Sequence, residues 1–305
     1  MTKAALIAVD WGTSSFRART IDADLNVIDL ISTDEGILKA KGQFEQVFAS
    51  NLRRLDGFQE DLPIVMSGMI GSRNGWVEVP YMSLPAHLSD LSGQTGKITL
   101  AGFGPITLVP GVMARGQAAD VMRGEETELF GAIQMLDLKE GRLIIPGSHS
   151  KHVVIKEGAI FQFNTFLTGE LFHALTNATI LGAFGKEVCP RCPWFDQGVI
   201  AGAQEGDAGA LLGRLFSARA RVLVDGMPEK HAACYLSGML IGAELCATHQ
   251  QSHKLWILGN GKLPHIYQQA ATLLDINAQI VPEGAAVAGA VQIAKALGLA
   301  FHNGN

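Results

Sequence analysis

Ala4-Ala5-Leu6-Ile7-Ala8-Val9-Asp10-Trp11-Gly12-Thr13-Ser14-Ser15 is an apolar run that meets an abrupt polar turn. Its first half reads as a buried strand ending in a carboxylate. The turn that follows is rich in glycine and hydroxyls, and such a turn can offer N–H and O–H donors to phosphate oxygens. Asp10 stands where a carboxylate can hold a water of nucleotide-bound Mg2+. An ordinary strand closed by an Asx turn is the plain alternative.

The second half of the chain repeats the plan. Arg142-Leu143-Ile144-Ile145-Pro146-Gly147-Ser148-His149-Ser150-Lys151 is again an apolar strand running into a Gly/Ser turn. After the first turn, residues 16–21 and 27–31 read as two further strands. After the second, residues 152–155 and 159–163 do the same around the tight turn Lys156-Glu157-Gly158. Two three-stranded meanders, each opening with a phosphate-type turn, suggest two related halves facing one nucleotide. A third strand, Leu255-Trp256-Ile257-Leu258, runs into Gly259-Asn260-Gly261, where glycines allow close approach of a flat ligand or a helix start. Pro282-Glu283-Gly284-Ala285-Ala286-Val287-Ala288-Gly289-Ala290 opens a helix of small residues, suited to close packing.

In this order the motifs resemble the actin-like ATPase superfamily of sugar kinases, hexokinase and heat-shock chaperones. More narrowly, Ser67-Gly68-Met69-Ile70-Gly71-Ser72-Arg73-Asn74-Gly75-Trp76, Asp120-Val121-Met122-Arg123-Gly124-Glu125-Glu126-Thr127 and Pro146-Gly147-Ser148-His149-Ser150-Lys151 resemble the 2-dehydro-3-deoxygalactonokinase family. The likeness runs nearly end to end. It implies an α/β fold of two actin-like (ribonuclease H-like) domains with a nucleotide cleft between them. The expected division is 1–134, with a phosphate loop and the sugar-acid site, and 135–305, with the second phosphate loop and adenosine binding.

The resemblance implies a kinase that moves the γ-phosphoryl of ATP to the 6-hydroxyl of 2-dehydro-3-deoxy-D-galactonate, with ATP and Mg2+ as cofactors. Asp10 is then the Mg2+-water ligand, with Gly12, Thr13 and Ser14 around the phosphates. Gly147, Ser148, Ser150 and Lys151 would meet them from the other half, and Gly259 and Gly261 would flank the adenosine. His149 reads as a hydrogen bonder that stabilises its turn. Related kinases place an Asp base before or inside the helix that joins the domains; Asp120 is put ahead of Glu125 on side-chain type. Read as structure alone, Asp120 would be a helix N-cap and Glu125 a first-turn acid. Arg73, Asn74, Trp76 and Glu78 are the expected sugar-acid contacts, because an Arg fork suits a carboxylate and a Trp face covers a sugar. Arg115 and Arg123 are rivals for the carboxylate. Two other readings stay open: a kinase of another sugar or sugar acid, and an actin-like ATPase acting as an activator or regulator.

Composition bounds the partners. The chain has 305 residues, 48% of them hydrophobic and 17% charged, which fits an α/β enzyme with a large core. A net charge of −5 with no Lys/Arg run argues against nucleic acid. The sequence shows no signal peptide and no apolar stretch of membrane-spanning length, so a cytoplasmic place is expected. The expected partner is a small-molecule sugar acid, and association into a homo-oligomer is left open.

The four cysteines divide into Cys189-Pro190-Arg191-Cys192 and the distant Cys234 and Cys246. A zinc site wants four convergent ligands, usually as two close pairs, and one pair is visible, with His173 or His231 as additions. An iron–sulfur cluster shared between subunits, as some actin-like activators carry, would also use this pair. The default is a surface loop with two reduced thiols. Elsewhere, residues 44–55, 127–138, 168–181, 208–220 and 229–248 carry helical spacing. Strands are expected at 62–66, 97–101 and 107–109 and near Leu255 and Ala278. Two more helices begin near Pro264 and Glu283. Residues 182–193 read as a loop.

Overall fold

The computed structural model describes residues 3–116, 119–189, 192–204, 208–248 and 254–299. Pro190 and Arg191 of the predicted cysteine loop lie outside the described residues. The chain begins with β1 (Ala4–Trp11), β2 (Phe16–Asp22), β3 (Val27–Thr33), α1 (Phe44–Leu52) and β4 (Ile64–Ser67). Next come β5 (Met82–Ser83), β6 (Gly96–Ile98), β7 (Ile106–Leu108), β8 (Val112–Ala114), β9 (Asp120–Met122) and α2 (Glu125–Met135). The second meander is β10 (Gly141–Ile145), β11 (Ser150–Lys156) and β12 (Ala159–Phe166). It is followed by α3 (Thr168–Ala178), α4 (Pro193–Ala203), α5 (Ala208–Leu215), α6 (Ser217–Val224) and α7 (Ala232–Thr248). The chain closes with β13 (Leu255–Ile257), α8 (Leu263–Leu273), β14 (Ala278–Ile280) and α9 (Ala285–Ala296).

The internal repetition read from the sequence is a repetition of topology. One sheet runs β3-β2-β1-β4-β7-β6 and the other β12-β11-β10-β13-β14. In each, a meander feeds a parallel run: β1, β4 and β7 in the first, β10, β13 and β14 in the second. β6 adds an antiparallel edge to the first sheet. A small third sheet, β5-β8-β9, stands apart. β1 is buried along nearly its whole length, as its continuous apolar run requires of a central strand.

The chain forms two compact units. The first gathers the described residues of Met1–Glu140, Ile155–Gln162 and Gly284–Asn305, and the second those of Gly141–Val154 and Phe163–Glu283. The tip of the β11–β12 hairpin joins the first unit, where Ala86 and Ile160 exchange backbone hydrogen bonds at 2.9 and 3.0 Å. The core of the first unit is built on Trp11, Phe16, Phe48, Ile64 and Leu108. That of the second includes Ile144, Phe195, Val199, Ile241 and Ile257.

Several local expectations change. The stretch after Pro110 forms the antiparallel β8–β9 pair, with Asp120 opposite Ala114. Asp120 therefore lies on a strand and caps no helix; the N-cap of α2 is Gly124. Strands of three residues are too short to show a period. Residues 208–220 are two helices, α5 and α6, and the helix from Thr168 stops at Ala178 before a 3-10 turn at Ile180–Phe184. α4 follows the predicted loop in a stretch for which the sequence predicts no element. Cys192 is buried and Cys189 half-buried, so the pair is not a surface loop.

Candidate active site

In the first unit, β1 and β4 run parallel, and Asp10 opposite Ser67 is the last pair of their ladder. Carboxyl ends of parallel strands are where α/β folds gather ligands. Gly12 N–H donates to Ser15 O at 2.9 Å, which closes the β1–β2 turn and leaves Thr13 and Ser14 exposed at its tip. The turn is braced from behind by Ile37 N–H to Gly12 O at 3.0 Å. Trp11, fully buried, donates its Nε1–H to Glu35 O at 2.8 Å and fixes the same segment.

Asp10 accepts from Arg17 Nη1 at 3.4 Å across the hairpin, and 39% of its side-chain surface stays open to solvent. The surrounding protein nevertheless desolvates the carboxyl and raises its pKa, against the lowering effect of Arg17 and Arg19. Gly68 follows β4 with φ +98; a Cβ there would come within 2.7 Å of Trp11 O and 3.2 Å of Asp10 Oδ1. Gly124, just before α2, has φ +112 and would bring a Cβ to 3.3 Å of Gly68 Cα. The start of α2 is thus stacked on the ends of β1 and β4, and only glycine fits at either layer.

α2 opens with Glu125, Glu126 and Glu128 in its first turn, where the helix dipole favours acids. Glu125 Oε2 accepts from Arg123 N at 3.0 Å, and Glu126 Oε2 from Gly124 N at 2.6 Å. These acids bind the backbone at a helix start whose N-cap glycine has no side chain to do so. Glu128 is raised by burial first, then by Asp10 and Glu125. Asp10, Glu125 and Glu128 therefore share one electrostatic neighbourhood with Arg17 and Arg19. Glu128 was absent from the predicted site, although its i+3 spacing from Glu125 puts both on one helix face. Glu126 is fully buried; burial, then Glu125, pushes it up to about 8.

Arg123 is buried, donates Nη2–H to Val79 O at 2.7 Å, and lies 4.2 Å from the Tyr81 ring centroid. Among the described residues its Nε and Nη1, Ser72 Oγ and Glu126 Oε1 are buried without a hydrogen-bond partner. Asp120 Oδ1 accepts from the N–H of Val121 at 2.7 Å. The predicted sugar-acid loop is rooted at Gly68 through the 3-10 turn Met69–Gly71. Its base is tied by Trp76 N–H to Ile70 O at 2.9 Å. Arg73, Asn74 and Glu78 are exposed. Trp76 is half-buried, edge-on to Trp11 and Phe48 with centroids 6.4 and 5.4 Å away. It anchors the loop to the core.

In the second unit the turn after β10 behaves differently. Gly147 is half-buried, and Ser148 and His149 are exposed. The amino end of α3 abuts the turn: Glu170 N–H donates to Ser148 O at 3.0 Å, and His149 Nε2 meets Glu170 Oε2 at 2.5 Å. His149 thus ties the turn to α3. Ser150 and Lys151 point inward. Ser150 Oγ is 2.9 Å from Tyr267 OH, whose proton goes to Glu244 Oε2 at 2.7 Å, so Ser150 is the donor to Tyr267. Glu244 Oε1 accepts from His152 Nε2 at 2.7 Å. Gly147 N–H donates to Ser150 Oγ at 3.4 Å and links the turn to this buried chain. Burial, then Glu244, holds the Tyr267 hydroxyl well above its ordinary pKa, so it stays a donor. Lys151 Nζ donates to Thr165 Oγ1 at 2.8 Å. Gly259 and Gly261, with φ +147 and +76, lie between β13 and α8 at the carboxyl end of the parallel run.

Comparison with known proteins adds independent findings. The family model of 2-keto-3-deoxy-galactonokinase matches residues 10–293. A Rhizobium meliloti protein assigned as a 2-dehydro-3-deoxygalactonokinase is 34% identical over 95% of this chain and 96% of its own. The 2-dehydro-3-deoxygalactonokinase of Escherichia coli strain K12 is 31% identical over 88% and 89%. A crystal structure from Sinorhizobium meliloti with the same assignment superposes at TM-score 0.88, with 32% identity over 97% of this chain and all of that one. The dehydratase component A of Acidaminococcus fermentans, at 12% identity, 95% and 98% coverage and TM-score 0.50, shares the fold alone.

Proposed function

The chain belongs to the 2-keto-3-deoxy-galactonokinase family, and we propose that it transfers the γ-phosphoryl of ATP to the 6-hydroxyl of 2-dehydro-3-deoxy-D-galactonate. The observation that supports this best is the meeting of Asp10, Gly68, Gly124 and the first turn of α2 at the carboxyl ends of β1 and β4. It combines a turn with exposed donors, a solvent-reaching carboxylate and further acids in one neighbourhood.

Thr13 and Ser14 donate to the phosphates from the tip of a turn that the Gly12 N–H closes. In the second unit Ser148 offers a like donor at the exposed tip of its turn, where the Gly147 N–H goes to Ser150 Oγ, and Ser150 and Lys151 support that turn from within. Gly259 and Gly261 leave room beside the adenosine. Asp10 suits a hydrated divalent cation: its carboxyl is raised by burial and itself raises Glu128, and a cation relieves both. Mg2+, when bound, neutralises charge on the phosphates. Asp10 would hold a water of the hydrated ion, and Glu128 would add negative charge to the same neighbourhood.

The base is Glu125. It opens α2 on the stacked glycines and is electrostatically coupled to Glu128, hence to the surroundings of Asp10. Asp120, on β9, and Glu125 each accept from a nearby backbone N–H, so it is the coupling to Glu128 that favours Glu125. Glu125 accepts the proton of the 6-hydroxyl as that oxygen bonds to the γ-phosphorus. The bond from the γ-phosphorus to the bridging oxygen breaks, and ADP leaves. Arg73 and Asn74 recognise the sugar-acid carboxylate, Glu78 accepts from its hydroxyls, and Trp76 holds their loop.

The test is a coupled ADP-release assay over a panel of sugars and sugar acids. Turnover should be highest with 2-dehydro-3-deoxy-D-galactonate and should vanish with EDTA. Equal or greater kcat/KM for another acceptor reassigns the substrate. Acceptor-independent ATP hydrolysis alone points to an actin-like regulator.

A further inference from the structure

We propose that Cys189, Cys192, His231 and Cys234 form a structural zinc site that clamps the loop before α4 to the first turn of α7. The sequence shows one close pair at Cys189 and Cys192. The fold supplies the second, His231 and Cys234, which have the same two-residue spacing. His231 ends the 3-10 turn Glu229–His231, and Cys234 follows in the first turn of α7, three residues on and on the same face. Two close pairs from separate segments are the usual plan of a zinc site with mixed Cys and His ligands.

The geometry is close to what the ion needs. The ligand atoms of Cys189, His231 and Cys234 all lie within 4.8 Å of one another. Cys192 Sγ is 3.1 Å from His231 Nδ1. Zinc–sulfur bonds of about 2.3 Å and zinc–nitrogen bonds of about 2.0 Å set tetrahedral ligand atoms roughly 3.5 to 3.8 Å apart. Cys189, His231 and Cys234 are the converged set, and Cys192, which meets it at His231, turns its sulfur inward to become the fourth ligand. Cys192 and Cys234 are buried and Cys189 is half-buried, so the centre is shielded. Cys189 N–H donates to Cys234 Sγ at 3.2 Å, the outer-shell bond that steadies a thiolate ligand. Cys192 occupies the N-cap of α4 but makes no cap bond; its sulfur faces His231 instead.

Four protein ligands leave no open coordination position, which makes the site structural. Binding displaces one proton from each of the three thiols and leaves the imidazole neutral, so zinc affinity falls in acid. A disulfide would use two of the three sulfurs and strand the third beside the imidazole. An iron–sulfur cluster is ordinarily held by four thiolates, and here a histidine takes one place.

The experiment uses the full-length, tag-free chain purified under reducing conditions without added metal. Elemental analysis should find about one zinc per chain. Cobalt(II) exchanged into the protein should give the intense visible bands of a tetrahedral thiolate site. Cys189→Ser and Cys234→Ser should lose most of the metal, while Cys246→Ser, at an exposed cysteine outside the cluster, should keep it. Chelation should lower the melting temperature of the wild type and leave that of Cys189→Ser unmoved. If Cys234→Ser does not fold, Cys189→Ser and the cobalt spectrum of the wild type decide. The proposal is overturned by reduced wild type that neither carries nor takes up zinc. It is equally overturned by zinc content untouched in Cys189→Ser, by iron with a visible chromophore, or by a Cys189–Cys192 disulfide in the protein as isolated from cells.

Discussion

Arg123, Gly124, Glu125 and Glu126 are consecutive, yet each meets a different environment. Arg123 is locked under Tyr81 and against Val79; Gly124 is there because nothing larger stacks on Gly68. Glu125 lies among the acids around Asp10, and Glu126 is buried with one oxygen unpartnered. Kinetics separates the carboxylates. Glu125→Gln should lower kcat by roughly 10²- to 10⁴-fold with ATP affinity almost unchanged, because only proton removal is lost. Asp10→Asn should lower kcat by about 10²-fold or more and raise the Mg2+ requirement. Asp120→Asn should be mild; a larger loss there than at Glu125 returns the base to Asp120. Glu126 gives a pH signature. Its folded pKa of about 8 lies above the ordinary 4.5, so the folded chain keeps a proton that the unfolded chain has released. The stability tied to that proton is complete below about 4.5, falls as pH rises and is lost once pH passes about 8. Glu126→Gln cannot ionise, so its melting temperature should gain on the wild type across that window. Parallel melting curves in both proteins would refute the buried acid.

At the scale of elements, glycine serves as a contact surface between helices. Gly198 and Gly202 of α4 face Tyr235 and Met239 of α7, while Gly238 and Gly242 of α7 face Phe195 and Val199 of α4. The spacing of four is reciprocal, so each backbone fits where the other has no side chain. α9 meets α2 in the same way, Gly289 against Thr127 and Gly131 against Ala285. The small residues near Ala285 did announce close packing; the partner helix was not legible. Gly202→Leu should destabilise by about 3 kcal/mol or more, because the side chain would strike backbone that cannot move aside. Denaturant unfolding measures it, and a change under 1 kcal/mol would mean that the helices are not in close contact.

At the scale of the whole molecule, the chain leaves its first unit after Glu140, rejoins it briefly at Ile155–Gln162 and returns to stay at Gly284. The last helix belongs to the first fold although the second unit precedes it in sequence. Removing the residues after Glu283 should therefore damage the first unit, since it strips α9 from the glycine face of α2. The truncated chain should lose protection of the β1 and β4 amides in hydrogen exchange while those of α7 persist. Retained protection in β1 would show that the first unit stands without α9.

The apolar run Leu6 to Val9, the polar turns at Asp10 and Gly147, and the two meanders were all legible, because strand burial and turn chemistry are local properties of a few adjacent residues. From them follows the doubled topology; the kinase family was legible as a resemblance carried by residues 67–76, 120–127 and 146–151. Whether Ser150 meets solvent or Tyr267, whether Trp76 covers a sugar or packs on Trp11, and that Glu128 shares a neighbourhood with Asp10 depend on which distant segments arrive beside them. The same holds for the cysteines: His231 and Cys234 become a second ligand pair only when α7 is laid against the loop before α4. Side-chain type is fixed by sequence, but direction and company are set by tertiary contacts between segments tens to hundreds of residues apart, and no local pattern carries that information.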